Sequence, residues 1–144
     1  MTKKNLIRMV SDDLSSFTKE IITETVRLRL LSCGIIHYTY LPGSDVCKVE
    51  HLANHHALVE LVGKEKKFPV LMDASEFILV TPEARKLVRE LEPIIPVSSR
   101  AFVIKSLSQR IATSFYIRLH KPLVPTKIFT KYEDAYDWLI KFNY

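Results

Sequence analysis

The stretch from Phe68 to Leu91 constrains the fold of this chain more than any other. It begins with an uninterrupted apolar run, Pro69 to Met72, which ends at Asp73. A run without alternation is typical of a strand that is covered on both faces. After Thr81 the same stretch changes to helical spacing. A buried strand followed by a helix predicts an α/β domain with helices on both faces of a sheet.

Consecutive residues mark the start of that helix. Thr81 is a good N-cap, Pro82 lacks the N–H that would be unpaired at the first helical position, and Glu83 suits the positive end of the helix dipole. Apolar residues then recur at helical spacing opposite a charged face, until Pro93 prevents continuation. We expect an amphipathic helix that lies on the sheet.

A hairpin and a helix are predicted before this stretch. Residues 26–30 and 35–40 each alternate in side-chain character, and the short break between them contains a glycine, so we expect an antiparallel hairpin. Ser44 or Asp45 is expected to cap a helix that ends at Gly63. The predicted inner side of this helix comprises Val46, Val49, Leu52, Ala53, His56 or Ala57, and Val59.

Two strands and two helices are predicted after the central stretch. The strands are the apolar run Ala101 to Ile104 and the short segment Lys127 to Phe129. Thr130 and Glu133 have the spacing of a capping box at the start of the last helix. The helix between the two strands is expected to face inward through Ile111, Ala112, Phe115, Tyr116 and Leu119.

The order of elements predicts the fold class and the domain. It corresponds to an α/β domain with a mixed sheet of about five strands, antiparallel in the N-terminal hairpin and parallel afterwards, and about four helices. Residues 1–24 are predicted to form a partly mobile tail, and residues 25–144 to form a single domain. A chain of 144 residues with 47% hydrophobic residues can bury such a core without a metal or a disulfide.

Charge and hydropathy argue against several kinds of partner. The net charge is +5, but the basic residues are spread among acidic ones, so we expect no nucleic-acid partner. No apolar run reaches the roughly 20 residues of a membrane span, and the first residues lack the apolar segment of a signal peptide. We therefore expect a cytoplasmic protein in which Cys33 and Cys47 are free thiols.

Polar side chains follow the central strands at the places where these strands end. In an open parallel sheet, ligands gather at this edge, and the start of a helix there offers free N–H groups to an anion. The candidate binding residues are Asp73, Ser75, Thr81, Lys105, Ser106 and Ser108. The alternative is structural: Asp73 and Ser75 hold their own loop, while Ser108 caps its helix.

Two histidines four residues apart suggest a metal site on the first helix. His51 and His55 have this spacing, and Glu60 follows. The glutamate that zinc hydrolases place next to the first histidine is absent, so the alternative is a polar helix surface with His56 partly packed. The chain also lacks the glycine-rich loops that bind nucleotides and the GxSxG motif of hydrolases, so we expect no catalytic residue, no bound metal and no cofactor.

Aromatic residues are concentrated in the C-terminal part of the chain. They are Phe115, Tyr116, Tyr132, Tyr136 and Trp138. At helical spacing such residues are typical of a hydrophobic core. The alternative is an apolar pocket or a dimer patch.

Several segments of the chain have a combination of motifs that is found together in known proteins. They are VLMDAS, TPEAR, AFVIKS with Arg110 and Phe115 behind it, KPLVPTKIFT and EDAYDWL. Together they resemble SpoIIAA-like or STAS-type domains of bacterial proteins of unassigned function. The resemblance covers most of residues 25–142 and implies the same order of strands and helices. The better-known relatives are anti-sigma-factor antagonists, which bind partner proteins and are switched by phosphorylation. The wider fold is similar to that of CRAL-TRIO lipid carriers.

The antagonists' phosphorylation motif is matched only in part. Their D-x-S corresponds to Asp73 and Ser75, but their D-S-x-G meets Thr81-Pro82-Glu83-Ala84, where proline takes the acceptor's place. Thr81 is adjacent and is the predicted phospho-acceptor, since a phosphate there would lie at the helix N-terminus.

The missing catalytic motifs and the resemblance together favour a non-enzymatic binding or regulatory module. We expect it to dock a protein partner or a second copy of itself through the helix after Thr81 and the neighbouring loops. The alternative is a carrier of a lipid or another small apolar ligand, which the aromatic C-terminal half and the fold relation suggest. A third hypothesis is a metal-dependent hydrolase that uses His51, His55 and Glu60.

Overall fold

A six-stranded sheet is the centre of the computed structural model, which describes residues 15–74 and 79–142. In chain order the described elements are β1 (Phe17–Ile22), β2 (Val26–Leu31), β3 (Ile36–Tyr40), β4 (Asp45–Val46), α1 (Lys48–Val62), β5 (Phe68–Asp73), β6 (Leu79–Val80), α2 (Pro82–Leu91), a 3₁₀ turn (Glu92–Ile94), β7 (Val97–Val103), α3 (Leu107–His120), β8 (Thr126–Phe129) and α4 (Tyr132–Ile140). No helix in these ranges has the length and apolar composition needed to cross a membrane.

The sheet is mixed, as predicted. Its strand order is β1-β2-β3-β5-β7-β8. The pairs β1/β2 and β2/β3 are antiparallel, whereas β3/β5, β5/β7 and β7/β8 are parallel. The small strands β4 and β6 pair separately in parallel. The hairpin, the later parallel strands and the four helices of the described residues confirm the predicted fold class.

The edge strand β1 differs from the sequence prediction. Phe17–Ile22 was expected to belong to the tail, but it pairs with β2, so the sheet gains a sixth strand. All but one of its residues are exposed, and the sequence FTKEII does not alternate between apolar and polar residues. An edge strand with little burial leaves a weak sequence pattern, which is why the strand was missed.

Helices cover the sheet on both faces. On one face, which we call the α1 face, buried side chains of α1 pack against buried side chains of the sheet. The helix contributes Ala57, Leu58 and Leu61, and the sheet contributes Val26, Leu28, Ile36, Tyr38, Val70 and Val97. On the α4 face the corresponding cluster is Leu31, Ile35, Leu71, Ala101 and Val103 with Ala135 and Leu139. The central strand β5 contributes alternate residues to the two faces, as the uninterrupted apolar run predicts.

The start of α2 is formed as the sequence predicts. Thr81 is the N-cap, and its Oγ1 accepts a hydrogen bond from the backbone N–H of Ala84 at 3.2 Å. Pro82 occupies the first helical position. Ala84 and Leu87 are buried, so α2 lies on the domain through its apolar stripe.

Helix α1 begins later than predicted, and a different side of it faces the sheet. Its N-cap is Cys47, because Asp45–Val46 pairs with Leu79–Val80 instead of capping the helix. Its end is correct, since Gly63 follows with a positive φ of 78°. The buried residues are Asn54, His55, Ala57, Leu58 and Leu61, whereas the predicted inner residues Val49 and Leu52 are exposed. Apolar residues occur all round this helix, so its pattern does not choose a side.

Helices α3 and α4 also correct the prediction. The residues of α3 expected to face inward include Ile111, Phe115 and Leu119, yet their exposed fractions are 62%, 62% and 60%. No residue of α3 is fully buried. Helix α4 begins after Lys131 without a side-chain cap, so the predicted capping box that begins at Thr130 is not formed. The packing of its Ala135 and Leu139 is as expected.

Candidate functional site

A cavity of about 590 Å³ lies between the α1 face of the sheet and the helices α2 and α3. Its floor includes Val70 and Met72 of β5 and Phe102 of β7. Val88 of α2 and Ile117 of α3 belong to its walls. Most of the lining is apolar, and the volume falls within the range of about 300–1,000 Å³ that is typical of small-molecule sites.

The cavity follows from the side chains of α3. Gln109, Ala112, Thr113 and Tyr116 are on the side of α3 that faces the cavity. Alanine and threonine are too short to fill the space above the sheet, whereas Leu107, Ile111, Phe115 and Leu119 of this helix point to solvent. The helix therefore covers the sheet without packing closely on it, and the space between them stays open.

Neutral polar groups line part of the cavity. Tyr38 and Tyr40 pack edge to face, with ring centroids 5.3 Å apart. Tyrosine hydroxyls are protonated at neutral pH, and burial raises the pKa of both of these further. Burial also lowers the pKa of His51 to about 4, with further contributions from His55 and Arg100. His51 is therefore an uncharged imidazole at neutral pH, able to donate or accept a hydrogen bond.

A buried ion pair is part of the cavity lining. Arg100 of β7 donates through Nη1 to Oε1 of Glu92 at 2.7 Å, and the two side chains are 11% and 10% exposed. Each charge compensates the other, so the pair adds no net charge to the cavity. The short contact with Glu92 holds the guanidinium of Arg100 in one place.

Exposed cations surround the same cavity. Arg85 and Arg89 of α2 and Lys121 after α3 all line it, and all are exposed. The Nη1 of Arg85 donates to the carbonyl oxygen of Val80 at 3.2 Å, and the Nη1 of Arg89 lies 3.5 Å from Nδ1 of His120. With Arg100 included and the histidines left aside, the described lining residues carry four cations and one carboxylate.

Two of the predicted site residues meet on the opposite face of the sheet. The Tyr132 hydroxyl donates to Oδ2 of Asp73, and Nε2 of His37 lies 4.0 Å from the same oxygen. The Nζ of Lys105 lies 5.9 Å from the Tyr132 ring centroid. Burial and Asp73 raise the pKa of Tyr132, whereas burial lowers the pKa of His37. Asp73 and Lys105 thus share a polar cluster on the α4 face, away from the cavity.

The other predicted site residues are placed at helix starts. Thr81 caps α2, and Ser106 caps α3 by accepting from the backbone N–H of Gln109 at 3.5 Å. Ser108 was the predicted cap, but its Oγ instead lies 3.0 Å from Oγ of Ser106. Ser75 lies outside the described residues. A binding role for these residues, and phosphorylation of Thr81, stay predictions.

The histidines of α1 are not assembled with Glu60 into a metal site. His51 lines the cavity and His55 is buried, whereas Glu60 is exposed. Within residues 15–74 and 79–142, no three His, Cys, Asp or Glu side chains are grouped to hold a metal ion. Neither Cys33 nor Cys47 forms a disulfide in the described part of the chain.

The cavity residues were missed by the sequence analysis. The charged face that the helical spacing predicts for α2 includes Arg85 and Arg89, and the predicted inward side of α3 includes Ala112 and Tyr116. The available signal was the small side chains on one side of α3, at positions 112 and 113. Small side chains at these positions indicate a cavity only when the distance between α3 and the sheet is known.

Comparisons with known proteins support the fold. A crystal structure of an uncharacterized protein from the DUF3478 family with a SpoIIAA-like fold, from Shewanella loihica PV-4, is similar with a TM-score of 0.55 and 15% sequence identity. The similarity covers 86% of this chain and 94% of that one. No curated protein matches the chain. A family model described as "Domain of unknown function (DUF7793)" matches residues 29–143. The chain has a SpoIIAA-like fold, and it belongs to the DUF7793 family.

Proposed function

We propose that this chain is a non-enzymatic binding module that holds a small apolar molecule in the cavity under α3. The observation that carries the proposal is the cavity itself, which has a volume of about 590 Å³ and a largely apolar lining. The SpoIIAA-like fold supports a STAS-type module in general, and it leaves the ligand open. The cavity favours the small-ligand alternative over docking through α2.

Burial of apolar surface would provide the binding free energy. Each methylene group that leaves water contributes about 0.8 kcal/mol, so a chain of ten contributes roughly 8 kcal/mol before the costs of association. Tyr38, Tyr40 and His51 offer the few hydrogen bonds that orient a ligand in such a site. An elongated, mostly apolar molecule fits this lining.

The proposal is tested by titrating the protein with Nile red, a neutral dye that fluoresces in apolar surroundings. We expect saturable binding by the wild type and at least about tenfold weaker binding by Ala112→Phe, whose added ring would occupy the cavity. Ala53→Phe is the matched control, because Ala53 is exposed on α1 and does not line the cavity. Equal binding by all three proteins, or no binding by the wild type, would refute the proposal.

A protein-docking function is the second candidate, and the outer side of α3 supports it. Leu107, Ile111, Phe115 and Leu119 follow one another at four-residue intervals, and each is at least 60% exposed. We call these four residues the α3 stripe. By contrast, the exposed residues of α2 are charged apart from Pro82. For this second candidate we therefore propose α3 as the docking surface, in place of α2.

The charges of α3 indicate what kind of partner would fit. The helix contains Arg110 and Arg118 and no acidic residue. Two copies of the α3 stripe would bring like charges together, so a different protein with carboxylates around an apolar ridge is the better match.

A photo-crosslinking amino acid at position 115 tests this second candidate in a cell lysate. Irradiation at low salt should give a crosslink to a different protein, and irradiation at high salt should not. Position 49 is the control, because Val49 is an exposed apolar residue of α1 outside the α3 stripe. A crosslink to a second copy, or equal crosslinking from both positions, would exclude an acidic partner on the α3 stripe.

A further inference from the structure

Building on the proposed function, we infer that the ligand is an anionic amphiphile whose head group binds between Arg85, Arg89 and Lys121, while its apolar chain lies in the cavity. The shared chemistry is an alkyl chain that ends in a carboxylate or a phosphate. The inference names the ligand class for the same cavity.

The positions of the cations support a single head-group site. Arg85 and Arg89 are four residues apart, so both project from the same side of α2, and both line the cavity. Lys121 follows the last residue of α3 and lines the cavity as well. These three residues, which we call the cationic rim, belong to the two helices that cover the cavity.

The hydrogen bonds of the cationic rim leave its charge available. Arg85 donates to a backbone carbonyl, and Arg89 lies beside the His120 ring and the Tyr116 hydroxyl. Among the described residues, no carboxylate lies within 4.0 Å of either guanidinium. A guanidinium whose fork has no anionic partner matches the two oxygens of a carboxylate or phosphate.

The deeper part of the cavity has no such charge. The guanidinium of Arg100 is paired with Glu92 at 2.7 Å, and that pair is nearly buried. Tyr38 and Tyr40 are uncharged at neutral pH, as tyrosines ordinarily are, and burial raises the pKa of both hydroxyls further. A neutral, apolar interior beside a cationic rim matches a molecule that is apolar at one end and anionic at the other.

Displacement of Nile red by decanoic acid, decyl phosphate and decan-1-ol tests the inference, because the three probes share a chain and differ in the head group. We expect one or both anions to bind about tenfold more tightly than the alcohol at low salt, and the preference to shrink at high salt. The stronger of the two anions identifies the head group.

Two double variants connect the preference to the cationic rim. We expect Arg85→Gln/Arg89→Gln to lose the preference for anions over decan-1-ol. Lys86→Gln/Arg118→Gln removes the same charge from exposed positions that do not line the cavity, and it should keep the preference. Circular dichroism confirms that both variants are folded.

The possible failures are distinguishable. Equal affinity of the wild type for all three probes would overturn the inference while leaving the proposed function in place. A preference that persists in Arg85→Gln/Arg89→Gln, or that is equally lost in the control, would overturn the assignment to the cationic rim. No binding of Nile red or of any probe would overturn the proposed function itself.

Discussion

Arg100 carries a guanidinium that lies almost entirely inside the protein. Its short contact with Glu92 compensates the charge where little water can reach it. A buried pair is not by itself a large source of stability, but the loss of one partner leaves an uncompensated charge behind. The pair therefore joins β7 to the end of α2 and fixes one wall of the cavity.

We expect Glu92→Gln to lower the free energy of unfolding by about 3 kcal/mol, because the Arg100 charge would stay buried without its counter-ion. Urea unfolding measures the change. Glu90→Gln is the control, since Glu90 is exposed in the last turn of α2, just before Glu92, and should change stability by less than about 0.5 kcal/mol. Equal effects of the two substitutions would contradict the structural role of the pair.

His51 makes stability depend on pH. Its pKa is about 4 in the folded protein and near 6.5 in the unfolded chain, so the unfolded chain takes up more protons below pH 6.5. The contribution of the neutral imidazole is present above pH 6.5 and is lost as the pH falls towards 4. The loss is at most about 1.4 kcal/mol per pH unit.

We expect His51→Gln to reduce the loss of stability between pH 6.5 and pH 5, as measured by urea unfolding at both values. The variant should still lose some stability over this range, because burial also lowers the pKa of His37 and His55, which both proteins retain. Identical pH dependence in the two proteins would show that His51 titrates normally in the folded state.

At the scale of elements, α1 and α3 show what a helical pattern can and cannot predict. The spacing of Ile111, Phe115 and Leu119 correctly places them on one side of α3. It does not show that this side faces solvent, because that depends on the distance between α3 and the sheet. In α1 the buried side includes the polar Asn54, which exchanges hydrogen bonds with Thr25, so hydropathy alone selected the wrong side.

The exposure of α3 can be tested by stability. We expect Phe115→Ser to change the free energy of unfolding by less than about 1 kcal/mol, because the side chain is already in water. Leu58→Ala, in the buried stripe of α1, should cost about 2–5 kcal/mol. If Phe115→Ser destabilised the protein as much as Leu58→Ala, α3 would be packed through its apolar side.

At the scale of the whole molecule, the sequence predicts the fold more completely than the site. The apolar runs of β5 and β7 and the alternating hairpin were sufficient for the mixed sheet. The strand-end rule placed Asp73 and Lys105 at one edge, and they do meet around Tyr132. The rule selects an edge of the sheet but not a face, and the cavity lies on the other face.

Calorimetric titration with decan-1-ol is the most direct test of the claim that the cavity holds an apolar molecule. A neutral ligand removes the contribution of the cationic rim and leaves burial of the chain as the source of affinity. We predict one saturable site per chain. Titrations at several temperatures between about 10 and 35 °C should give a negative heat-capacity change, which is the signature of apolar burial. A heat signal that never saturates, or no heat at any temperature, would contradict the account.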